Sequence, residues 1–522
     1  MHSAAQVFSA NLLAALSELE VQEVFLSPGS RSQSLAIAAQ QLHDANRLVL
    51  RVRIDERSMA FTALGVAKAS GRPVAIITTS GTAVANLLPA VLEASHSGIP
   101  LILLTADRPA ELRGVGANQT TNQVGIFGDA VRSCIDIEAP TDSVDTNSVK
   151  ELAEKVVATA LGIIHESLGP VHLNLCFREP LSSAEPNAGN LYPGARLSEQ
   201  DNYKPSFAVL AGEKNTILVA GADSGVEALE AGEAFGWPVF AEPSSRCRIG
   251  ANAIIGYPSL LEEEKDLADG IQRVVVFGKP TLSRQVQKLI ARKDIELVVI
   301  KSKLMGPFNP YGNAAEIVDE ITVNGEVSHD WLARWRVAAH NWLSVQETSK
   351  SLDRRNIIET VYDVSEIDDT IVLGASRMIR EADTWAPAKA IQVFANRGLA
   401  GIDGTIATAT GIALGGEGSF TRAIIGDLTL LHDASSMIED VEEEINLQLV
   451  MVNDQGGSLF EKLEVRKVVE EAVFDRVFRT GQKVDYWSLA NAYGFSYFCP
   501  TNEAELRSAL TTIGRVLIEI KL

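Results

Sequence analysis

Cysteine is scarce in this chain of 522 residues, and the four present, Cys134, Cys176, Cys247 and Cys499, are widely scattered. They form no CxxC pair and have no nearby histidine partner, which argues against structural zinc and a disulfide framework. Reduced, mostly buried thiols in a cytoplasmic protein are the expectation. Histidine is also sparse, eight in all, and among the polar motifs only His432, near Asp427, stands close by. That scarcity speaks against Ser-His or Cys-His catalysis. Long hydrophobic runs are missing too. "VAII" and "LILL" are far too short to span a bilayer, so no integral membrane segment is expected. Basic residues fall short of acidic ones, 46 against 67, and the net charge of −21 argues against nucleic acid and anionic membranes as partners. Small anionic substrates stay open, because a few local arginines dominate a cleft. The first twenty residues lack a basic leader and a cleavage pattern. They read as an amphipathic helix carrying Val7, Phe8, Leu12, Leu16 and Leu19, with no export signal. Low-complexity tracts and sequence repeats are absent.

What is present is a series of α/β units. Apolar content of 46% and charged content of 22% describe an ordinary globular chain, long enough for two or three domains. The runs "VFLS", "LVLRVRI", "PVAIITT" and "PLILLTA" alternate with helical stretches, which predicts a parallel sheet covered on both faces. Further series begin near Asn215 and Asp369. The expected fold class is therefore α/β, three doubly wound parallel-sheet domains. The boundaries read as 1–181 for the first domain, 182–206 for a Pro/Gly/Ser/Asn-rich linker and 207–328 for a middle, Rossmann-like domain. An amphipathic bridging helix follows over 329–350, and the third domain covers 351–522.

Polar residues gather where the strands end, the place at which open α/β sheets bind ligands. After the first four runs come "PGSRS", "DERS", "SGTAVAN" and "DRPAELRGVGANQ". "FLSPGSRSQS" reads either as a strand-to-helix corner with a serine cap or as an anion seat built from hydroxyls, backbone N–H groups and a guanidinium. In the third series "IIGDL" and "VMVNDQGG" place Asp427, Asn453 and Asp454 at strand ends, with Gly456 and Gly457 beside them. Such oxygens suit a small hard cation bridging to phosphate, and they equally suit two turns with Asx caps. Glu56 in "RIDERSMAF" is either a first-turn charge favoured by the helix dipole or an acid that hydrogen-bonds a ligand nitrogen. Arg31, Arg108, Arg380 and Arg397 each follow a strand. Singly they read as solvated side chains; four in equivalent positions look selected for carboxylates or phosphate. Arg377, Ser376, Asn118 and Gln119 add further donors. "NRGLAGIDGTIATATGIALGG" reads as close helix–sheet packing, with Ile402 free to wedge a bound ring.

Together, three α/β modules, a glutamate after the second strand and "GDL…NDQGG" resemble the thiamine-diphosphate-dependent enzymes of the pyruvate oxidase and decarboxylase type. Within them, "SPGSRS", "DERS", "TTSGTAVANLLPAV", "LTADRP", "GANQT", "NRGLAGIDG" and "GDLTLLHD" resemble the 2-succinyl-5-enolpyruvyl-6-hydroxy-3-cyclohexene-1-carboxylate synthase family. The likeness is strong over the first and third modules and weak over the middle one. It implies thiamine diphosphate and Mg²⁺, with Mn²⁺ as the alternative ion. The first module would bind the pyrimidine and the third the diphosphate. The implied reaction is a transferase step of menaquinone biosynthesis: decarboxylation of 2-oxoglutarate and 1,4-addition of the four-carbon fragment to isochorismate. It also implies a homodimer or homotetramer with the active site between subunits.

Residue by residue, the resemblance implies Asp427, Asp454 and the Gly456 carbonyl as metal ligands, Asp454 standing where the family generally has asparagine. It makes Glu56 the group that hydrogen-bonds the aminopyrimidine and Ile402 the support that keeps the cofactor bent. Thr79, Gly81, Gly426, Leu428 and Asn453 complete the implied cofactor site. Ser30, Arg31, Arg108, Asn118, Gln119, Ser376, Arg380 and Arg397 match substrate-pocket positions, with Glu56, Ser376, Arg380 and Arg397 taken as catalytic. Arg284, in "KPTLSRQV", stands where relatives have a basic substrate-contacting residue. The alternatives are another thiamine-diphosphate enzyme, either a 2-oxoacid decarboxylase or acetolactate-synthase-like, and a non-catalytic scaffold of the same fold. A nucleotide-binding oxidoreductase is disfavoured, because "GADSG" is not a GxGxxG fingerprint.

Overall fold

The most apolar runs, such as Val74–Thr78 and Leu101–Asp107, become strands buried on both faces, and every ladder among the described residues is parallel. In the computed structural model the described residues are 3–141, 144–164, 167–183, 197, 204–302, 306–347, 349, 351–438 and 443–522. Most of the expected linker over 182–206 lies outside them. The first sheet contains β1 (Glu23–Leu26), β2 (Val49–Val52), β3 (Val74–Thr78), β4 (Leu101–Asp107), β5 (Ser133–Ile137) and β6 (Val171–Cys176), in the order β2-β1-β3-β4-β6-β5. β7 (Phe207–Ala211) leads into a middle sheet made of β8 (Thr216–Ala220), β9 (Val239–Ala241), β10 (Arg273–Phe277), β11 (Glu296–Ile300) and β12 (Glu316–Val318), ordered β12-β11-β10-β8-β9. β13 (Glu320–Asn324) pairs with β7 alone. The last sheet holds β14 (Thr370–Leu373), β15 (Gln392–Phe394), β16 (Thr421–Gly426), β17 (Leu447–Asn453), β18 (Ser496–Phe498) and β19 (Arg515–Lys521), ordered β15-β14-β16-β17-β19-β18. Numbered within their own sheets, the first and third share the strand order 2-1-3-4-6-5, although no repeat is detectable in sequence.

The chain divides into two compact units. The first comprises Met1–Asn202 with two later segments, Asp403–Gly416 and Asp433–Glu444. Its core faces are lined by residues such as Phe25, Leu35, Ile76, Leu103 and Leu173, all fully buried. The N-terminal helix Ala4–Glu18 corrects the amphipathic reading: Gln6, Ser9 and Asn11 are buried along with Phe8, Leu12 and Leu16, so it lies inside rather than on the surface.

The small-residue stretch corrects a second expectation. Helix Thr405–Gly415 packs not on a sheet but on helix Glu56–Ser70. A Cβ on Gly65 would lie 2.2 Å from the Thr408 carbonyl oxygen, and one on Gly411 would lie 2.0 Å from that of Thr62. The two backbones approach so closely that only hydrogen fits at these points. Buried Asp433 caps this helix, its Oδ2 accepting from the Ile406 and Ala407 amides at 2.8 and 3.1 Å.

The thiols also depart from expectation. All four are free, but Cys134 and Cys499 are exposed while Cys176 and Cys247 are buried. Cys134 has a histidine neighbour after all, because the β5–β6 register sets it opposite His172, with Sγ 3.3 Å from Nδ1. Burial drives the His172 pKa down to about 4, so the ring stays neutral in its contacts with Cys134 and Thr105.

The second unit comprises Tyr203–Ile402, Glu417–His432 and Ile445–Leu522. Helix His329–Ser344 buries Trp331, Trp335 and Trp342 in the middle sheet's core, and Trp342 stacks on Trp385 with ring centroids 5.0 Å apart. No described helix is long and apolar enough to cross a membrane.

Candidate active site

In the second unit, β14, β16 and β17 end around a cavity of about 240 Å³. The sheet order reverses at β14, between β15 and β16, which opens the crevice where doubly wound sheets receive ligands. Asp427 is the first residue of helix Asp427–His432 and is 2% exposed. Its Oδ2 has no hydrogen-bond partner among the described residues. Burial lifts its pKa to about 6, the Asp454 carboxylate adds to the rise, and backbone amides of Leu428 and Gly456 oppose it. A buried carboxylate with an idle oxygen, facing a second carboxylate, is a poor arrangement alone and a good one around a cation.

Asp454 lines the same cavity and is compensated from outside it, accepting from Arg354 Nη2 at 2.7 Å. Gly456 adopts φ +122, and a Cβ there would lie 2.0 Å from the Arg479 carbonyl oxygen, so no other residue makes this turn without strain. No described cluster of three or more His, Cys, Asp or Glu forms a metal cage. A cation here would complete its shell from a backbone carbonyl and from the phosphate it accompanies. The residues present therefore fit a hard metal ion with a diphosphate.

Gly426, Leu428 and Ile402 line the cavity as well. Asn453 does not: its Nδ2 donates to Glu519 Oε1 at 2.6 Å, and its Oδ1 accepts the Gln455 amide at 3.2 Å. Tyr497 donates to the other Glu519 oxygen. Asn453 is thereby built into the turn that carries Asp454 and Gly456. Ser376, also lining the cavity, is held at φ +102, a region a serine occupies at a cost of order 1–3 kcal/mol. Arg377 lines the rim but donates to Glu381 at 2.5 Å. Arg380 and Arg397 share the cavity, and the Arg380 pKa is lowered by burial and then by the Arg397 charge. Two guanidiniums lining one partly desolvated cavity call for an anion between them. Arg284 lies outside the cavity lining; it is 65% exposed and pairs with Glu464 at 2.9 Å.

The first unit gathers another set where β1, β3 and β4 end. The opening turn is a corner in which Ser32 occupies the N-cap but makes no side-chain cap; its Oγ donates to the Gly29 carbonyl instead. That corrects the capping part of the sequence reading. A Cβ on Gly29 would lie 2.3 Å from Thr79 Cβ, so the glycine lets the two strand-end loops touch. The Arg31 amide donates to Thr79 Oγ1 at 3.3 Å, while Ser30 is exposed beside it. Arg108 donates to Ser80 Oγ and, at 2.7 Å, to the Gln119 carbonyl. Burial lowers the Arg108 pKa, and the Arg31 charge lowers it further, so these two cations are also neighbours. Gln119 holds φ +52 and donates to the Ser80 carbonyl at 2.9 Å; Gly81 donates its amide to Gln123 Oε1 at 2.9 Å. Asn118 is exposed, its carbonyl accepting from Thr120 Oγ1. Glu56 opens helix Glu56–Ser70 after an Asp55 cap, and its Oε2 accepts from Asn86 Nδ2 at 3.4 Å.

Sequence reasoning missed Ser80, Gln123, Arg354, Glu519 and Tyr497. Only Glu519 had a usable signal, as a lone acid inside the apolar strand "VLIEI".

Two thiamine pyrophosphate enzyme families match separate stretches of the chain. The family described as "Thiamine pyrophosphate enzyme, N-terminal TPP binding domain" matches residues 7–126, and "Thiamine pyrophosphate enzyme, C-terminal TPP binding domain" matches 376–520. A protein of Leifsonia xyli subsp. xyli is 40% identical over 565 residues, covering 98% of this chain and 95% of its own length. One of Arthrobacter sp. (strain FB24) is 41% identical, covering 96% and 86% respectively. One of Kineococcus radiotolerans is 40% identical, covering 98% and 94%. Each of the three is named 2-succinyl-5-enolpyruvyl-6-hydroxy-3-cyclohexene-1-carboxylate synthase.

Proposed function

The chain belongs to the family of 2-succinyl-5-enolpyruvyl-6-hydroxy-3-cyclohexene-1-carboxylate synthases, thiamine-pyrophosphate enzymes of α/β doubly wound architecture, and from that membership we propose that it makes this compound from 2-oxoglutarate and isochorismate, with loss of CO₂, in menaquinone biosynthesis. The observation that carries the reading is the idle, buried Oδ2 of Asp427 in a cavity that also holds Asp454, Gly456, Arg380 and Arg397.

Thiamine diphosphate, when bound, supplies the electron sink that decarboxylation of a 2-oxo acid requires. Asp427, Asp454 and the Gly456 carbonyl would hold Mg²⁺, or Mn²⁺ in its place. Gly426, Leu428 and Ile402 would line the cofactor's bed, with Thr79 and Gly81 serving it from the first module. Arg380 and Arg397, with Ser376 between strand end and helix, receive carboxylate oxygens and neutralise them. Arg31 and Arg108, with Ser30, Asn118 and Gln119, do the same from the first unit. Both substrates are dicarboxylates, so paired guanidiniums are what they require. Glu56, at the start of its helix, would hydrogen-bond a ring nitrogen of the cofactor through its carboxyl group.

We read the first sheet's module as the pyrimidine side and the third's as the diphosphate side, with a second copy completing each site. A homodimer is then the smallest active form and a homotetramer the next. The free cysteines support a reducing, cytoplasmic setting. Isochorismate consumption, followed by absorbance while 2-oxoglutarate, thiamine diphosphate and Mg²⁺ are omitted one at a time, tests the reading. Dependence on all three is expected. Turnover of 2-oxoglutarate without isochorismate would reassign the protein as a simple decarboxylase. Sedimentation of the active species as a monomer would overturn the shared site.

A further inference from the structure

The two matching family models, over 7–126 and 376–520, leave the middle sheet uncovered, and nothing described so far gives that sheet a part in the chemistry. It reaches the substrate cavity through one loop. β10 ends at Phe277, and the chain continues as Gly278-Lys279-Pro280-Thr281-Leu282. This loop is tied twice to the Asn396–Leu399 stretch after β15. Lys279 Nζ donates to the Gly398 carbonyl at 2.9 Å, and Arg397 Nη2 donates to Thr281 Oγ1 at 2.7 Å. The second tie matters more, because Arg397 is 5% exposed and lines the cavity. Its Nε is buried with no hydrogen-bond partner among the described residues. One edge of the guanidinium is thus anchored while another donor is left for a ligand.

The loop is itself held from within. Glu242, directly after β9 and 1% exposed, accepts the Thr281 amide at 2.6 Å and the Leu282 amide at 2.7 Å, both at Oε1. A single carboxylate oxygen therefore sets two consecutive peptides, and with them the direction of the Thr281 hydroxyl. Burial and the nearby Asp383 carboxylate push the Glu242 pKa up to about 8, while the Arg397 charge opposes the rise. A buried acid under that pressure marks a contact worth its cost.

We propose that Thr281 and Glu242 are positioning residues: from the middle sheet they aim the Arg397 guanidinium into the cavity and so set the affinity for a substrate carboxylate. The proposal rests on the reading of Arg397 as a substrate-binding group. Thr281 supplies the acceptor that fixes one Nη, and Glu242 fixes the loop that presents it. The loop's other contacts, Lys279 to Gly398 and Gln287 Nε2 to the Pro280 carbonyl at 2.7 Å, hold the backbone without touching the guanidinium.

The test compares KM and kcat for each dicarboxylate in the holoenzyme, alongside thiamine diphosphate affinity measured by fluorescence titration. Thr281→Val keeps the shape and removes the acceptor. It should raise KM for one dicarboxylate by about tenfold, the loss expected when one hydrogen bond to a charged group is removed. The change in kcat and in cofactor affinity should be less than about twofold, and Thr281→Ser should restore KM. Glu242→Gln, which keeps an acceptor oxygen, should behave like the parent enzyme, whereas Glu242→Ala should follow Thr281→Val. Adding Thr281→Val to Arg397→Ala should raise KM no further, since both act through one group. If Arg397→Ala raises KM and Thr281→Val does not, or if the two effects add, the positioning role is wrong while the reading of Arg397 stands. If Arg397→Ala leaves KM unchanged, both fall. Should Glu242→Ala fail to fold, the Thr281 pair decides the matter alone.

Discussion

The first and third sheets are wound in the same order and end in opposite charge. In the first, β1 pairs Leu26 with Ile77 of β3, and Ile77 pairs with Leu104 of β4. In the third, Leu373, Ile424 and Val450 take the same places. Counting three residues on from Ile77 and from Ile424 reaches Ser80 and Asp427. Counting four on from Leu104 and from Val450 reaches Arg108 and Asp454. One pair of scaffold positions therefore holds a hydroxyl accepting from an arginine, and the matching pair holds two carboxylates that repel. Arg108 contacts Ser80 directly, whereas Asp454 raises the Asp427 pKa. The parallel sheet decides where groups converge; at these matched positions the side chains decide whether an anion or a cation is received, and Arg380 and Arg397 add an anion seat elsewhere in the same cavity of the third sheet.

The largest break in that comparison is Asp427→Asn. Activity should fall by more than about a hundredfold, beyond the loss typical of groups that only orient metal ligands. The protein without cofactor should melt at a higher temperature, because a buried carboxylate has been removed. Unchanged activity in a steady-state assay would dissolve the contrast between the two sheets. Next comes Arg108→Met, for which kcat/KM should drop about thirtyfold with Mg²⁺ affinity unchanged, as one charged hydrogen-bonding group is lost. A parallel loss of metal binding would mean that the two crevices are not independent in charge.

A third test uses pH, because the two units carry buried groups shifted in opposite directions. His172 in the first unit has its pKa lowered to about 4. The stability its neutral ring contributes is present above the unfolded value near 6.5 and is lost as pH falls through about 4. Glu242 in the second unit is raised to about 8. Its contribution is present below the ordinary carboxylate range and is lost as pH rises through about 8. Each effect should be roughly 3–5 kcal/mol. All six tryptophans, the first being Trp237, lie in the second unit, so their fluorescence in urea should show the alkaline loss. Amide exchange in β5 and β6 should show the acid loss. Identical pH profiles for both probes would remove the distinction.

Smaller effects follow. Gly65→Ala should destabilise the first unit by about 1–3 kcal/mol, read as a shifted urea midpoint, because its Cβ meets a backbone oxygen. Arg284→Ala should change stability by less than about 0.5 kcal/mol, since its pair with Glu464 is exposed. A raised substrate KM in that variant would return Arg284 to the substrate site.

The strands of the first sheet and the polar residues at their ends were legible because buried parallel strands print as apolar runs followed by turns. Asp427, Asp454, Arg380 and Arg397 stood out by that same logic. What stayed hidden depends on distance along the chain. Arg354 lies 100 positions from the Asp454 it neutralises, and Glu519 lies 66 from Asn453. No spacing rule connects them. The N-terminal helix misled because Gln6, Ser9 and Asn11 look like a wet face while being enclosed. Cys134 and His172 met through strand register, which a linear reading does not contain. The glycines of the Thr405–Gly415 helix announced a close neighbour without naming which.

That helix has a consequence for how the protein is made. The first unit's own sheet is complete within the first 202 residues, yet it borrows Asp403–Gly416 and Asp433–Glu444 from far downstream. At ribosomal speeds of roughly 5–20 residues per second, the 200 residues between Asn202 and Asp403 take roughly 10–40 s to emerge. Through that interval the notched face around Gly65 waits without its partner helix. A nascent chain stalled there should be the form most in need of a chaperone, and a fragment ending at the linker should be unable to finish folding by itself.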